Sequence, residues 1–165
     1  MKKRKKLMTF SMISIAVIFA GFFSFILFNP PLVKGSVGSL NNYHALVIAI
    51  GNKGFSDLHI NDVSVNGNEE PSNVKVQVSN PLKGFIVKDT FNQEAEEFNI
   101  HDVENVTIKT NTSPAEQREK VNNDTTSTDD KSYGMSVVHN KEIENVTITY
   151  NYLGISFDKT LRVNE

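Results

Sequence analysis

Leu7 to Phe28 is a run of twenty-two residues without a charge, and the five residues before it, Lys2 to Lys6, are all basic. At about 1.5 Å per helical residue such a run is roughly 33 Å long, enough to cross the hydrocarbon core of a bilayer. Only Lys34 lies close on the far side, so the charge asymmetry holds the amino terminus in the cytoplasm and exports the chain beyond Phe28. A removable secretory segment begins the same way, but its apolar part is usually about 7 to 15 residues and ends at a small-x-small site. The run here is longer, and the nearest such site, Val33-Lys34-Gly35, lies behind Pro30 and Pro31. These features predict an uncleaved single-pass anchor over 7–28 with a cytoplasmic tail over 1–6.

Within the anchor, Ala16, Ala20 and Ser24 recur every fourth residue, a small-residue stripe that would let two such helices approach closely. Phe19, Phe22, Phe23 and Phe25 form a bulkier side that suits lipid. The chain contains no cysteine, which rules out lipidation of an amino-terminal cysteine and leaves the exported part to fold without disulfides. Zero cysteine with heavy use of Asn and Lys suits a Gram-positive bacterium of low GC content. Of 17 basic and 19 acidic side chains, five basic ones precede the anchor, so the exported part carries 12 against 19, a net −7. A domain of that charge has no electrostatic footprint for nucleic acid.

Pro30 and Pro31 stop the helix, since each lacks a backbone donor and clashes with the preceding turn. The segment 29–42, with Gly35, Ser36, Gly38 and Ser39, reads as a flexible linker. From Tyr43 the period changes to two. Residues 43–50 are apolar on both faces, and Leu58, Ile60, Val63 and Val65 slip phase at Asn61-Asp62, which predicts a bulge. Asn66-Gly67 predicts a type I′ turn. Val74 to Val78 and Phe85 to Val87 read as further strands, and Val146 to Tyr152, Leu153-Gly154 and Ile155 to Val163 as a closing hairpin. Two helical pieces interrupt the pattern, a short one over 93–98 and one at Ser113-Pro114-Ala115-Glu116, where Ser113 and Glu116 compose a capping box and Pro114 takes the first helical position. Residues 122–132 contain no apolar side chain and read as a mobile surface loop that buries nothing. Val103-Glu-Asn-Val-Thr-Ile108 recurs as Ile143-Glu-Asn-Val-Thr-Ile148, which we read as two strands approached through similar turns rather than as a repeat.

Seven or eight strands at about ten-residue spacing predict an all-β ectodomain over 43–165, an antiparallel immunoglobulin-like β-sandwich behind one transmembrane helix, with a closed barrel as the alternative. Its expected core includes Leu46, Ile48, Ile60, Val76, Phe85, Val106, Ile148, Tyr150 and Phe157. Asn52-Lys-Gly54 with Leu58, Ile60, Val63, Val65 and Asn66-Gly67 resembles the opening hairpin of bacterial extracytoplasmic immunoglobulin-like modules. Together with Tyr133-Gly-Met-Ser-Val-Val-His139 and Tyr150-Asn-Tyr-Leu-Gly-Ile155, the chain is similar to small uncharacterised single-pass membrane-anchored proteins of Bacillus-type bacteria. The resemblance implies an exported module and brings no catalytic residues with it.

Four histidines, His44, His59, His101 and His139, are the groups suited to titrate near neutrality or to ligate a metal. A metal-dependent or catalytic ectodomain would need His59, His101 and His139 to converge, although no HExxH or comparable spacing is present. Asp124, Asp129 and Asp130 lack the alternate-residue spacing and central glycine of a calcium loop. There is no GxSxG elbow and no phosphate-binding glycine loop. The reading favoured over an enzyme is a cofactor-free binding or interaction module, held to the membrane through Leu7 to Phe28 and engaging another envelope protein or a wall component through loops or a strand edge.

Overall fold

The computed structural model describes residues 2–91 and 98–163, in two units that divide after Pro31. The first is the helix α1 (Lys2–Phe28). Its segment Phe10–Phe28 is long and apolar enough to cross a membrane, and most of the side chains described there are exposed, Val17, Phe19 and Phe28 among them. At its end Asn29 donates from its backbone and its side chain to the Phe25 carbonyl, both at 3.0 Å, so the last turn is closed before the two prolines.

The second unit contains β1 (Leu32–Leu40), β2 (Ala45–Asn52), β3 (Leu58–Val65), β4 (Asn73–Ser79), β5 (Ile100–His101), β6 (Thr107–Ile108), α2 (Pro114–Asn122), β7 (Ser132–Val138), β8 (Asn145–Tyr152) and β9 (Ile155–Arg162). They make two sheets, ordered β1-β2-β7-β4-β5 and β6-β3-β8-β9, and every strand pair in them is antiparallel. In the first sheet Ile48 stands opposite Met135, and Met135 opposite Val76; in the second Val63 stands opposite Ile148. These rows, with Leu46, Ile50, Leu58, Ile60, Val146, Tyr150 and Tyr152, are buried and form the core. The bulge falls at Ile60/Asp62 as the phase slip requires. Asn66 and Gly67 both have positive φ, as do Leu153 and Gly154 in the turn that joins β8 to β9, so both turn expectations hold.

Several expectations are corrected. The linker expected over 29–42 is a strand for most of its length, since Leu32 to Leu40 pair with β2 from Asn52 back to Ala45. The folded unit therefore begins at Leu32, not at Tyr43, and Tyr43 and His44 lie in the turn before β2. Phe85 to Val87 is not a strand. The Asn66-Gly67 turn does not close a hairpin, because β3 and β4 belong to different sheets. Ser113 precedes α2 but its side chain makes no capping bond; Gln117 instead reaches back to the Asn111 carbonyl at 2.8 Å. Phe85 and Phe157 are half-buried rather than core, Phe157 stacking on Tyr150 at 5.5 Å between ring centroids. The helical piece expected over 93–98 lies almost wholly outside the described residues. The two Val-Thr-Ile echoes do lead into strands, β6 and β8, which flank β3 on either side.

β2 is buried on both faces. Its inner face carries Leu46, Ile48 and Ile50. Its outer face carries Ala45, Val47, Ala49 and Gly51, all small, and beside them in register stand Gly38 of β1 and Gly134 and Ser136 of β7. A flat surface of this kind lets non-strand chain lie directly on the sheet. Phe85 covers Gly134, Val87 covers Gly38, and Thr112 and Pro114 cover Gly51 and Gly35. Gln77 fixes one of these covering segments by acting as a backbone substitute: its side chain accepts from the Ile86 N–H at 3.0 Å and donates to the Ile86 carbonyl at 2.6 Å and the Ser136 hydroxyl at 2.7 Å.

Tyr150 is fully buried, and its hydroxyl faces the Leu32 backbone without completing a hydrogen bond. Burial pushes its phenol up to about 12 from the ordinary value of about 10, and burial raises Tyr133 as well. A raised phenol favours the folded state up to the unfolded value, and that advantage is lost as pH climbs to the folded one. Stability should therefore fall between pH about 10 and about 12. With four tyrosines and no tryptophan, phenolate absorbance reports this directly: a late-titrating fraction is expected that becomes smaller in Tyr150→Phe, the raised Tyr133 remaining in it. That variant should melt within a few degrees of the parent, since an unpartnered hydroxyl contributes little once replaced by an apolar isostere. An early, single-step titration of all four tyrosines would contradict the placement of Tyr150.

Candidate functional site

The end of the second unit at which β1 begins is organised by two asparagines. Asn52, the last residue of β2, is fully buried and uses its whole amide: the side chain donates to the Ser56 carbonyl at 2.8 Å and the Ile108 carbonyl at 3.2 Å, and accepts from the Gly54 N–H at 2.8 Å. It thereby ties the five-stranded sheet to β6 of the other sheet and shapes the loop 53–55. The Tyr152 hydroxyl accepts from the Phe55 N–H at 3.1 Å, and the two rings meet edge to face at 5.8 Å. Nearby, Lys109 reaches Asp57 at 2.8 Å; hydrogen bonding from the Lys109 ammonium holds the Asp57 carboxyl below its usual range and raises the lysine in turn.

Asn80 follows β4. Its amide donates to the carbonyls of Ser127, Thr128 and Asp130 at 2.9, 3.3 and 3.0 Å and its oxygen accepts from the Leu82 N–H at 3.0 Å. Asp130 receives Lys120 at 2.6 Å and the Ser127 N–H at 2.7 Å, and those bonds hold its carboxyl low, Lys120 contributing most. The loop over 122–132 is thus tied down by hydrogen bonds, which corrects the expectation of a mobile segment; a sequence without apolar residues gave no sign of a partner forty-seven residues away. Replacing Asn80 by alanine should expose residues 127–130 to proteolytic nicking and faster amide exchange at a stability cost of about 1–2 kcal/mol. Unchanged exchange there would show that the loop holds itself.

Beside Asn80, between the end of β4 and the loop over 128–131, lies a cleft of about 680 Å³ whose lining includes Ser79, Asn80, Lys83, Asn99, Asp129 and Lys131. Amides, hydroxyls, carbonyls and charges of both signs converge there, a surface able to hydrogen-bond a polar partner.

The histidines do not assemble. His59 is exposed on β3 and contacts the Thr107 hydroxyl at 3.3 Å; His101 is exposed on β5, in the other sheet, and contacts Asn99 at 2.8 Å. His139 is buried beyond β7, its Nε2 3.2 Å from Glu69, which Lys141 also reaches at 2.7 Å. These contacts hold the Glu69 carboxyl low, Lys141 first and His139 second. His44 sits in the turn before β2, where its carbonyl accepts from the His139 N–H. Among the described residues no three His, Asp or Glu side chains are grouped to hold a metal, and Asp130 of the acidic loop is engaged by Lys120.

A scan against protein-family models, a search of curated proteins and a search of solved structures each found no match to the chain.

Proposed function

We propose that the chain is a single-pass membrane-anchored binding module of the cell envelope, its amino terminus cytoplasmic and its two-sheet unit extracytoplasmic as a sandwich of immunoglobulin-like type. The observation that carries this reading is the helix α1, whose basic first residues lead into the apolar segment Phe10–Phe28 and which gives way after three residues to the first strand of the β-rich unit. A cut at Gly35 would remove the first half of β1, including the buried Leu32, so the geometry of β1 favours an uncleaved anchor.

Loops rather than strand edges carry the binding. All four edges are blunted: β5 and β6 have two residues each, β1 is bulged between Lys34 and Val37, and β9 presents Asp158 and Lys159. The cleft beside Asn80 offers amide, hydroxyl, carbonyl and charged groups to another envelope protein or a wall component. A photo-crosslinking residue in place of Lys83 or Asp129, in the full-length protein in its native membrane, should give a discrete adduct, and one in place of Ser156 on β9 should not. Adducts from Ser156 alone would move the binding surface to the edge.

A further inference from the structure

Strand register locates the exposed apolar side chains of the β-rich unit. In the five-stranded sheet Leu32 stands opposite Asn52, Ile50 opposite Tyr133, and Ser79 opposite Ser132. The start of β1, the end of β2, the start of β7 and the end of β4 therefore share one end of the sheet. The loop 53–55 leaves from that end, and so does the turn 80–83. Phe98 joins them, because Asn99 next to it accepts from the Val78 N–H. In the second sheet the β8–β9 turn is brought to the same end by the contacts between Tyr152 and Phe55.

Among the described residues of this unit five large apolar side chains are exposed: Leu40 at 43%, Phe55 at 62%, Leu82 at 65%, Phe98 at 37% and Leu153 at 43%. Four of the five lie at the end where β1 begins, and only Leu40 lies at the other. Two exposed lysines accompany them in sequence, Lys53 beside the Phe55 loop and Lys83 next to Leu82. Apolar and aromatic tips flanked by lysine suit the interfacial layer of a bilayer, where rings and aliphatic groups enter the headgroup region and ammonium groups stay in water.

The covalent chain indicates which surface is within reach. Leu32 follows the last residue of α1 by four residues, a span of at most about 14 Å. We infer that Phe55 and Leu153, with Leu82 at the same end of the unit, rest in the outer interfacial layer of the membrane that α1 crosses. This inference rests on the anchoring proposed above.

The absence of native cysteine allows single labels. Full-length protein carrying Val17→Cys, Phe55→Cys, Leu153→Cys or Leu40→Cys would be labelled with an environment-sensitive fluorophore and placed in vesicles of phosphatidylcholine and phosphatidylglycerol, with and without spin-labelled lipid. The expected result is strong quenching at 17, quenching with a blue shift at 55 and 153, and several-fold less at 40. Quenching at 17 with positions 55 and 153 no different from 40 would overturn the inference and leave the anchor standing. A blue shift at 55 without lipid quenching would assign the patch to a protein contact and overturn it too. No quenching at 17 would overturn the anchor and this inference together. Lys53→Cys, at an exposed neighbour, repeats the measurement if Phe55→Cys does not fold.

Discussion

Gly51→Ala should destabilise the β-rich unit by about 3 kcal/mol or more, beyond the usual range for an added methylene in a packed site. A Cβ on Gly51 would lie 2.0 Å from the Thr112 carbonyl oxygen and 2.7 Å from its carbon, with Pro114 at 2.9 Å. The obstruction is backbone, so no rotamer change relieves it. Nor can Thr112 retreat freely, since its hydroxyl accepts from the Asn52 N–H at 3.1 Å and donates to the Lys109 carbonyl at 2.7 Å, while its own N–H donates to the Asn52 carbonyl at 3.2 Å. For a unit of this size the loss corresponds to a melting temperature lower by roughly 10 °C. Gly67→Ala is the comparison: nothing lies within 4 Å of its Cβ and only its positive φ of 93° is at stake, so it should cost about 1 kcal/mol. Equal effects at the two glycines would mean that Thr112 does not lie on β2.

The second large effect is expected at Ile148. It is fully buried on β8, opposite Val63, and Ile148→Ala should cost about 2–5 kcal/mol. Thr147 and Thr149 point the other way, where their hydroxyls meet Thr160 at 3.0 Å and Asp158 at 2.7 Å. These are exposed cross-strand contacts, so each threonine-to-alanine change should cost less than about 1 kcal/mol. Chemical denaturation of the three variants resolves the contrast. Similar losses at all three would contradict the register of β8, and a reversed order would shift it by one residue.

Those registers were legible because alternation is a local signal. Val146 to Tyr152 alternates cleanly, the phase slip at Asn61-Asp62 marks its bulge, and Asn66-Gly67 supplies the residues that positive φ demands. β1 was not legible, since Gly35, Ser36, Gly38 and Ser39 have the composition of a linker; the two glycines lie beneath Pro114 and Val87, where a side chain would collide, and the two serines are exposed. Phe85 to Val87 has the composition of a strand but pairs with the Gln77 side chain instead of a neighbouring backbone. The loop over 122–132 is bonded to Asn80 through the carbonyls of Ser127, Thr128 and Asp130, and the separation of His59, His101 and His139 is a product of sheet order. These are outcomes of tertiary contact, to which periodicity and turn chemistry are blind. The candidate cleft was legible only in part: its acidic loop stands out in the sequence through Asp129 and Asp130, but Asn80, which joins that loop to β4, carries no signal beyond its place before a proline.

The central question is which side of a membrane the β-rich unit occupies and whether it stays attached. Single cysteines in place of Lys3 and of Ser156, which is exposed on β9, can be probed on intact, wall-stripped cells with a membrane-impermeant maleimide, reading label and molecular mass on one gel. An anchored, exported unit predicts rapid labelling at 156 in a full-length, membrane-bound chain, and labelling at 3 only after lysis. Labelling of position 156 in a shorter, soluble chain beginning at Ser36, or protection of position 156 until lysis, would contradict it.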